Sequence, residues 1–466
     1  EREMVFLFFI TCVFSISLYA KSVSFTSLSK NIESTNPSII YSRLQTLLAN
    51  EEINSAKSNL YPKLTLSANS EYTKKYIDTR SYYINDENFV SSTGFASSVS
   101  LKLNYELYKF GANALNIDAA SYKKQSLSYK ECVTLNEAKL RLLELYYNLL
   151  DSKNKLNYHN NLKQINKEIY KTSKRLYENG DHTKTAMTNS AIRLVEIEDN
   201  IASLNKQIKN LLSEISSLSG EDIYIEDEIM PFSSEDIGQT DIIDQASQTN
   251  SLSQVPSILP KNLSSDRLIS HPLPSFEQTS QAKELNALIL SKQSALESKK
   301  KEYYPAFYLY AKYDFYGDDR DNFRRSWDDT QRNGYRIGLS MVYNLFDGFN
   351  REAGIQSAFI ELLLAKEQFN EAKRRYEKET RNINDDLHSN LEKLKTTSEL
   401  TSYSKELLDM QERLNLNSQV DKLSVLESKV KFNENLIKNA EALLQANMLV
   451  VKRFLINEKS TDCKAL

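Results

Sequence analysis

The chain has 466 residues, 26% of them charged, and a formal net charge of −3. This balance provides no basic face, so it excludes nucleic acid as a partner. The sequence contains no phosphate-binding loop and no cluster of catalytic or metal-ligating side chains, so we predict a protein that is not an enzyme and uses no cofactor or metal. The few glycines and prolines, 10 and 8, lie mostly outside long periodic segments, which favours long helices over ordinary compact domains.

The N-terminus has the pattern of an export signal. Residues 5–18 are almost wholly apolar, and Ala20 precedes a polar stretch that begins at Lys21. The apolar run is too short to cross a bilayer and suits the core of a signal peptide. We therefore expect residues 1–20 to be removed by cleavage after Ala20, with lipidation of Cys12 as the alternative. The spacing of the three cysteines predicts neither a metal site nor a structural disulfide.

A first repeat is predicted for residues 21–220. It opens with helix over residues 21–60, with Pro37 in a first helical turn, and this helix ends at Tyr61-Pro62, where the hydrophobic period changes to that of a strand. Two strands follow, at about 63–76 and about 97–108, in which apolar residues alternate with polar ones. The clearest apolar face is that of the second strand: Val99, Leu101, Leu103, Tyr105 and Leu107.

A long helical hairpin is predicted for about 111–219. Neither Gly nor Pro occurs from 112 to 179, and after the break at Asn179-Gly180-Asp181 neither occurs until Gly220. At 1.5 Å per residue the first arm would be about 100 Å long. The second arm has apolar residues at alternating steps of three and four, the spacing of a coiled-coil seam: Leu194, Ile197, Ile201, Leu204, Ile208, Leu211, Ile215 and Leu218.

The second half of the chain repeats this order after an interruption. Residues 221–275 collect acidic residues, Ser, Asn and five prolines, which predicts a linker or an irregular equatorial insertion. A second repeat is predicted for 276–456, followed by a tail at 457–466. Its elements are a helix, strands at about 306–316 and about 335–346, and a second long helical hairpin at about 349–456.

The two repeats align without a gap. The segment 107–110 (Leu-Tyr-Lys-Phe) lies over 345–348 (Leu-Phe-Asp-Gly). At the same offset Arg175-Leu176 matches Arg413-Leu414, and Asn179-Gly180 matches Asn417-Ser418. We therefore interpret the chain as two copies of one unit, a helix, two strands and a long helical hairpin.

The four strands have the length and alternation of membrane-spanning β-strands. Four strands cannot close around an opening, and an open sheet would leave unpaired edges in lipid. We therefore predict an α+β membrane protein whose sheet closes with copies of itself; three chains would give twelve strands, four per chain, enough for a polar-lined opening. The alternative is an exported soluble sandwich fused to a coiled coil.

With this order of elements, the sequence resembles the TolC family of outer-membrane efflux and secretion ducts over roughly residues 36–220 and 276–456. The resemblance lies in the order of elements, in the Tyr-Pro pairs at 61–62 and 304–305, and in the segments 175–180 and 345–348. It implies a homotrimer in the outer membrane of a Gram-negative cell, with a 12-stranded β-barrel (four strands per chain) on a long α-helical coiled-coil barrel that forms a periplasmic helical extension. It also implies two partners, a periplasmic adaptor (membrane fusion) protein and an inner-membrane pump of the RND or ABC type.

The function implied by the resemblance is that of a passive exit duct in a tripartite efflux or type I secretion system. Multidrug export and protein secretion share such a duct, so the sequence leaves both open. An exported structural or adhesive coiled-coil surface protein without a pore is the competing interpretation.

The resemblance also implies where the periplasmic entrance lies. Members of the family carry paired carboxylates one helical turn apart after the second hairpin turn, and the matching positions here are Ser424 and Glu427. Because Ser424 is not a carboxylate, one member of the pair is missing, and the gate is either weakened or built differently, with Asp421 as the candidate substitute. Ala186 is the counterpart of Ser424 in the first repeat. A ring of three Glu427 side chains would favour cations, whereas the competing interpretation is that Asp421 and Glu427 are ordinary solvated charges. The resemblance places adaptor docking on the two turns: Asn179, Gly180, Asp181, Asn417 and Ser418.

Overall fold

The computed structural model describes residues 21–73, 94–225, 227–232, 273–330 and 332–457. The predicted signal peptide with Cys12, most of the predicted insertion and the residues after 457 lie outside this described part. In chain order the elements are β1 (Ser22–Val23), α1 (Phe25–Thr35), α2 (Pro37–Ser58), β2 (Lys63–Thr73), β3 (Gly94–Tyr108), α3 (Ala112–Glu178), α4 (Lys184–Ser219), β4 (Glu228–Ile229), α5 (Ser280–Lys301), β5 (Ala306–Asp319), α6 (Phe323–Asp328), β6 (Arg332–Val342), α7 (Asn350–Leu416) and α8 (Lys422–Asn457).

The single helix expected at the start of the first repeat is wrong in two respects. A two-residue strand, β1, precedes the helical part and pairs in parallel with β4, which lies in the region expected to be irregular. The helix is also divided at Asn36, whose backbone is extended. Pro37 disfavours a helical conformation in the residue before it and is itself the first residue of α2.

The four long strands form one antiparallel sheet in the order β2-β3-β5-β6. Two of them are longer than the alternation indicated, because β3 begins at Gly94 and β5 continues to Asp319. The segment between β5 and β6 contains the short helix α6, which Asn322 caps by accepting hydrogen bonds from the backbone N–H groups of Arg324 and Arg325.

The two helical hairpins match in length. The first arms, α3 and α7, have 67 residues each, and the second arms, α4 and α8, have 36 residues each. Among the described residues, no helix is sufficiently apolar over a sufficient length to cross a bilayer.

The described residues divide into two compact units. We call the first the helical unit (21–43, 130–281 and 373–457) and the second the sheet unit (44–129 and 282–372). The helical unit has a continuous apolar core, with Tyr146 and Ile215 fully buried at its centre. The seam predicted on α4 is buried in this core at Ile208, Leu211 and Ile215, whereas its members nearer the turn are half-buried.

Cys132, on α3, is buried and takes part in a disulfide bond. The expectation that the chain has no structural disulfide is therefore wrong. The spacing of cysteines along a chain does not report which of them meet in space.

Candidate functional site

The strand register gives the sheet one continuous apolar face. Residues directly opposite one another on neighbouring strands share a face, so each cross-strand row can be read from the pairing. Two complete rows of this face are Leu64, Leu103, Ala311 and Ile337, and Leu66, Leu101, Tyr313 and Tyr335. The rows are strongly solvent-exposed on the edge strands of the single chain, with Leu66 at 71% and Tyr335 at 76%, whereas Leu103 and Ala311 on the central strands are half-buried. A face of this kind requires lipid or another apolar cover.

The opposite face is polar and carries a row of cations. Lys102, Lys312 and Arg336 lie directly opposite one another on three neighbouring strands. Asp314 is close to two of them, because its carboxylate lies 2.7 Å from Lys312 Nζ and 3.7 Å from Arg336 Nη2. The hydroxyl of Ser100 also donates to Asp314. Three adjacent like charges repel one another, so this row suits a solvated surface rather than a packed interface.

Both edges of the sheet are open in the single chain. The outer side of β2 and the outer side of β6 have no strand partner among the described residues. An edge strand presents unpaired N–H and C=O groups and pairs readily with another strand. The sheet therefore has the two features that a segment of a larger barrel needs, opposite faces of different polarity and two edges that can accept strands.

The first hairpin turn closes α3 with a left-handed residue. Gly180 has a φ of 83°, its N–H donates to the carbonyl of Tyr177, and the N–H of Asp181 donates to the carbonyl of Leu176 at 2.8 Å. These two bonds form a Schellman motif, which satisfies carbonyls that the end of a helix leaves free. Glycine is the residue that adopts this conformation at least cost.

The second turn repeats this geometry without a glycine. Ser418 has a φ of 58°, its N–H donates to the carbonyl of Asn415, and the N–H of Gln419 donates to the carbonyl of Leu414 at 3.0 Å. The side chain of Asn415 adds a bond to the carbonyl of Val420. The missing glycine does not alter the hydrogen bonds of the turn, and the left-handed Ser418 carries the backbone strain.

Replacing Ser418 with Gly is expected to stabilise the second turn by about 1 kcal/mol, because Gly adopts the left-handed conformation without a Cβ clash. The readout is hydrogen exchange of the Gln419 amide, which should slow in Ser418→Gly. The matched change Gly180→Ser should speed exchange of the Asp181 amide by a similar factor. Equal exchange in the wild type and Ser418→Gly would mean that the serine conformation is not strained.

The second arms begin at equivalent N-caps. Thr183 accepts a hydrogen bond from the N–H of Ala186, and Asp421 accepts one from the N–H of Ser424 at 3.1 Å. The Ser424 hydroxyl also donates to Asp421, and this bond, followed by the one from the Ser424 amide and the nearby His182, lowers the pKa of Asp421 below its ordinary value. Asp421 is thus the cap of α8 and stays ionised at neutral pH.

The remaining positions predicted for the entrance lie on the two second arms. Glu427 is exposed on α8, one turn after the half-buried Ser424, and Ala186 is half-buried on α4. Within the described chain Glu427 forms no ion pair. The structure therefore brings Asp421 and Ser424 into contact and leaves Glu427 facing solvent in the single chain.

Sequence reasoning missed a cluster of charges between α3 and α8. Lys155 Nζ lies 2.8 Å from Asp151 Oδ2 and 3.0 Å from Glu441 Oε1. Burial, followed by the charges of Asp151 and Glu441, raises the pKa of the neighbouring Tyr147 to about 12. The spacing of Asp151 and Lys155, four residues apart on one helix, was the available signal; nothing in the sequence indicated Glu441 as the third member.

No group of three or more His, Cys, Asp or Glu side chains in the described part of the chain is placed to hold a metal ion. The charged clusters described above consist of carboxylates already paired with lysine or arginine, or used to cap a helix.

The family model described as outer membrane efflux protein matches residues 28–221. A comparison with curated protein sequences gives no match.

Solved structures are similar over nearly the whole chain. The outer membrane protein VceC from Vibrio cholerae is 13% identical, with 93% of this chain and 96% of that chain covered and a TM-score of 0.72. The CmeC outer membrane channel of Campylobacter jejuni is 14% identical, with 94% and 87% covered and a TM-score of 0.73. The MtrE outer membrane channel of Neisseria gonorrhoeae, in its open state, is 12% identical, with 93% and 88% covered and a TM-score of 0.64.

At these identities the solved structures establish the fold, and the family model supplies the sequence match. Together they confirm the resemblance predicted from the sequence.

Proposed function

We propose, from the premise that this chain is similar to the outer membrane efflux proteins in sequence and to their channels in fold, that it is the exit duct of a tripartite efflux or type I secretion system. It conducts substrates passively from a periplasmic adaptor and an inner-membrane RND or ABC pump to the outside. The energy for transport comes from the pump, because conduction through an open duct requires none from the duct itself.

The observation that carries this proposal is the two-faced sheet with two open edges. In lipid every backbone polar group must be satisfied, so a sheet with open edges has to close on itself or on copies of itself. Four strands are too few to enclose a lumen. Three copies, with β6 of one chain beside β2 of the next, give twelve strands with the apolar rows towards lipid and the cationic row towards water.

The matched hairpins support the rest of the assembly. Duplicated arms of equal length from three chains supply twelve helices for a coiled-coil barrel. The two turns, with their shared Schellman geometry, form the surface on which adaptor tips dock. The entrance lies near the start of α8, where Asp421 fixes the helix end and Glu427 provides a ring of three carboxylates.

The decisive experiment inserts the purified protein into planar bilayers. We expect discrete conductance steps, a molar mass of three chains in detergent, and a change in gel mobility on heating that is typical of a β-barrel. A monomer that needs no detergent and gives no conductance would overturn the proposal and favour the structural or adhesive surface protein.

Ion selectivity tests the entrance separately from the sheet. Glu427→Gln should reduce the preference for cations, because it removes three negative charges from the narrowest point. Arg336→Gln is the matched control, since it removes three positive charges from the polar face of the sheet and should shift the reversal potential in the opposite direction. An unchanged reversal potential in Glu427→Gln would remove this residue from the entrance while leaving the duct intact.

A further inference from the structure

The helical unit contains a buried carboxylate that is bonded to the backbone nitrogen of Lys21. Asp227 is only 8% exposed. Its Oδ1 accepts a hydrogen bond from the Lys21 nitrogen at 3.1 Å, and its Oδ2 accepts one from the Tyr224 nitrogen at 2.8 Å. Both donors are groups of the main chain.

No Lys, Arg or His of the described residues forms a direct ion pair with the carboxylate of Asp227. Lys153 interacts with its charge, but its Nζ donates to the backbone carbonyl of Asp227, at 3.0 Å, and not to the carboxylate. Buried carboxylates are almost always paired with a positive charge, because removing an ion from water is costly. An additional positive charge at the Lys21 nitrogen would complete the site.

Export processing would place that charge there. Residues 5–18 have the apolar pattern of a signal-peptide core, and Ala20 is the small residue that the cleavage site requires. A signal peptidase hydrolyses the 20–21 peptide bond with one water molecule, which leaves a carboxylate on Ala20 and an ammonium group on Lys21. The nitrogen that is a neutral amide with one hydrogen in the precursor becomes a cation with three.

We propose that Lys21 is the first residue of the exported protein and that its α-ammonium group is bound by the carboxylate of Asp227 as a structural ion pair. The proposal concerns maturation of the chain and does not depend on its being a duct.

The surroundings show what such a pair would hold in place. β1 and β4 pair over only two residues, which is too short for a stable ladder by itself. The first and last bonds of the contact are Glu228 N–H to the Lys21 carbonyl at 3.0 Å and Met230 N–H to the Val23 carbonyl at 2.9 Å. The side chain of Lys21 also pairs with Glu221. An ammonium bound at Asp227 would fix the start of β1 and, with it, the buried Val23.

The first test is the N-terminus of protein purified from the outer membrane. Intact mass and N-terminal sequencing are expected to give a chain that starts at Lys21. A chain that starts at any other residue, including a lipidated Cys12, would overturn the proposal.

The second test measures the reactivity of the α-amine of Lys21 with an amine-acylating reagent near neutral pH, with fragmentation of the N-terminal peptide to separate α-amine from Nζ. Only the uncharged amine reacts, so an ion pair slows the reaction by about tenfold for each unit by which it raises the pKa. We expect slow labelling in the folded wild type, fast labelling in denatured wild type, and fast labelling in folded Asp227→Asn.

Asp222→Asn removes an exposed carboxylate of the same segment and is expected to leave labelling slow. Equal labelling of the folded and denatured wild type would overturn the proposal even if Asp227→Asn failed to fold. Equal labelling of folded wild type and folded Asp227→Asn would do the same, since protection would then come from burial alone.

Discussion

Replacing Tyr146 with Ala is expected to produce the largest loss of stability of any single change considered for the helical unit. The ring is fully buried and packs against Phe25 and Phe232, with ring centroids 5.9 Å and 5.4 Å away. Truncating a buried aromatic side chain costs about 3–5 kcal/mol through lost contacts and the cavity left behind. Thermal unfolding in detergent, followed by far-UV circular dichroism, should show a clearly lower midpoint for Tyr146→Ala.

The contribution of the Tyr146 hydroxyl to stability can be measured separately from that of its ring. It lies 2.5 Å from the carbonyl of Met230 and 3.1 Å from that of Val23, so it joins α3 to β1 and to the residue that follows β4. Tyr146→Phe keeps the ring and should cost about 0.5–1.5 kcal/mol, because it removes the hydrogen bond that the hydroxyl donates. Tyr177→Ala, an exposed tyrosine on the same helix, should change stability by less than about 0.5 kcal/mol. A midpoint for Tyr146→Ala equal to that of Tyr177→Ala would contradict the assignment of this core.

Replacing Lys155 with Met is expected to produce the second-largest loss, because it leaves Asp151 and Glu441 without the cation between them. Breaking a buried ion pair by removing one partner costs about 3–5 kcal/mol. The three side chains are partly exposed, Lys155 at 31% and Glu441 at 35%, so we expect about 1–3 kcal/mol here. Lys163→Met is the matched control, since Lys163 pairs with Glu198 between α3 and α4 at 3.0 Å but both are more exposed, and its loss should be below about 0.5 kcal/mol.

The pH dependence of the Lys155→Met variant distinguishes lost charge from lost packing. Burial raises the pKa of Asp151 above its ordinary value, and the bond from Lys155 opposes this rise. In Lys155→Met we expect the pKa of Asp151 to rise further, because the lysine no longer opposes the effect of burial. A carboxyl whose pKa is raised on folding contributes stability that is present below its unfolded pKa and lost as pH rises through the folded pKa. The midpoint difference between Lys155→Met and wild type should therefore shrink as the solution is acidified from neutral pH. A difference that stays constant with pH would show that the packing of the lysine stem, and not its charge, holds α8 against α3.

The sequence determined the elements of this protein because their signals are local. The absence of Gly and Pro between Gly111 and Gly180 predicts α3 almost to the residue, since nothing in that stretch can end a helix. The alternation of apolar and polar residues predicts four strands and the face that each presents, because side chains of a strand point alternately to opposite sides. The alignment of Gly180 with Ser418 also predicted that the two turns occupy equivalent positions, and both residues have a positive φ.

Only the tertiary structure shows which of these elements pair and which side chains meet between them. The order β2-β3-β5-β6 joins the two halves of the chain through the pairing of β3 with β5, and strands far apart in the chain leave no local trace of such pairing. The same holds for the meeting of Lys155 with Glu441 and of Lys21 with Asp227, each separated by some two hundred residues or more of chain. Asp421 is the simplest example: the resemblance predicts that this carboxylate lies at the periplasmic entrance, but only the folded backbone shows that its Oδ1 caps α8. Local periodicity fixes which residues share a face, whereas the partner of each face is fixed by packing free energy summed over the whole chain.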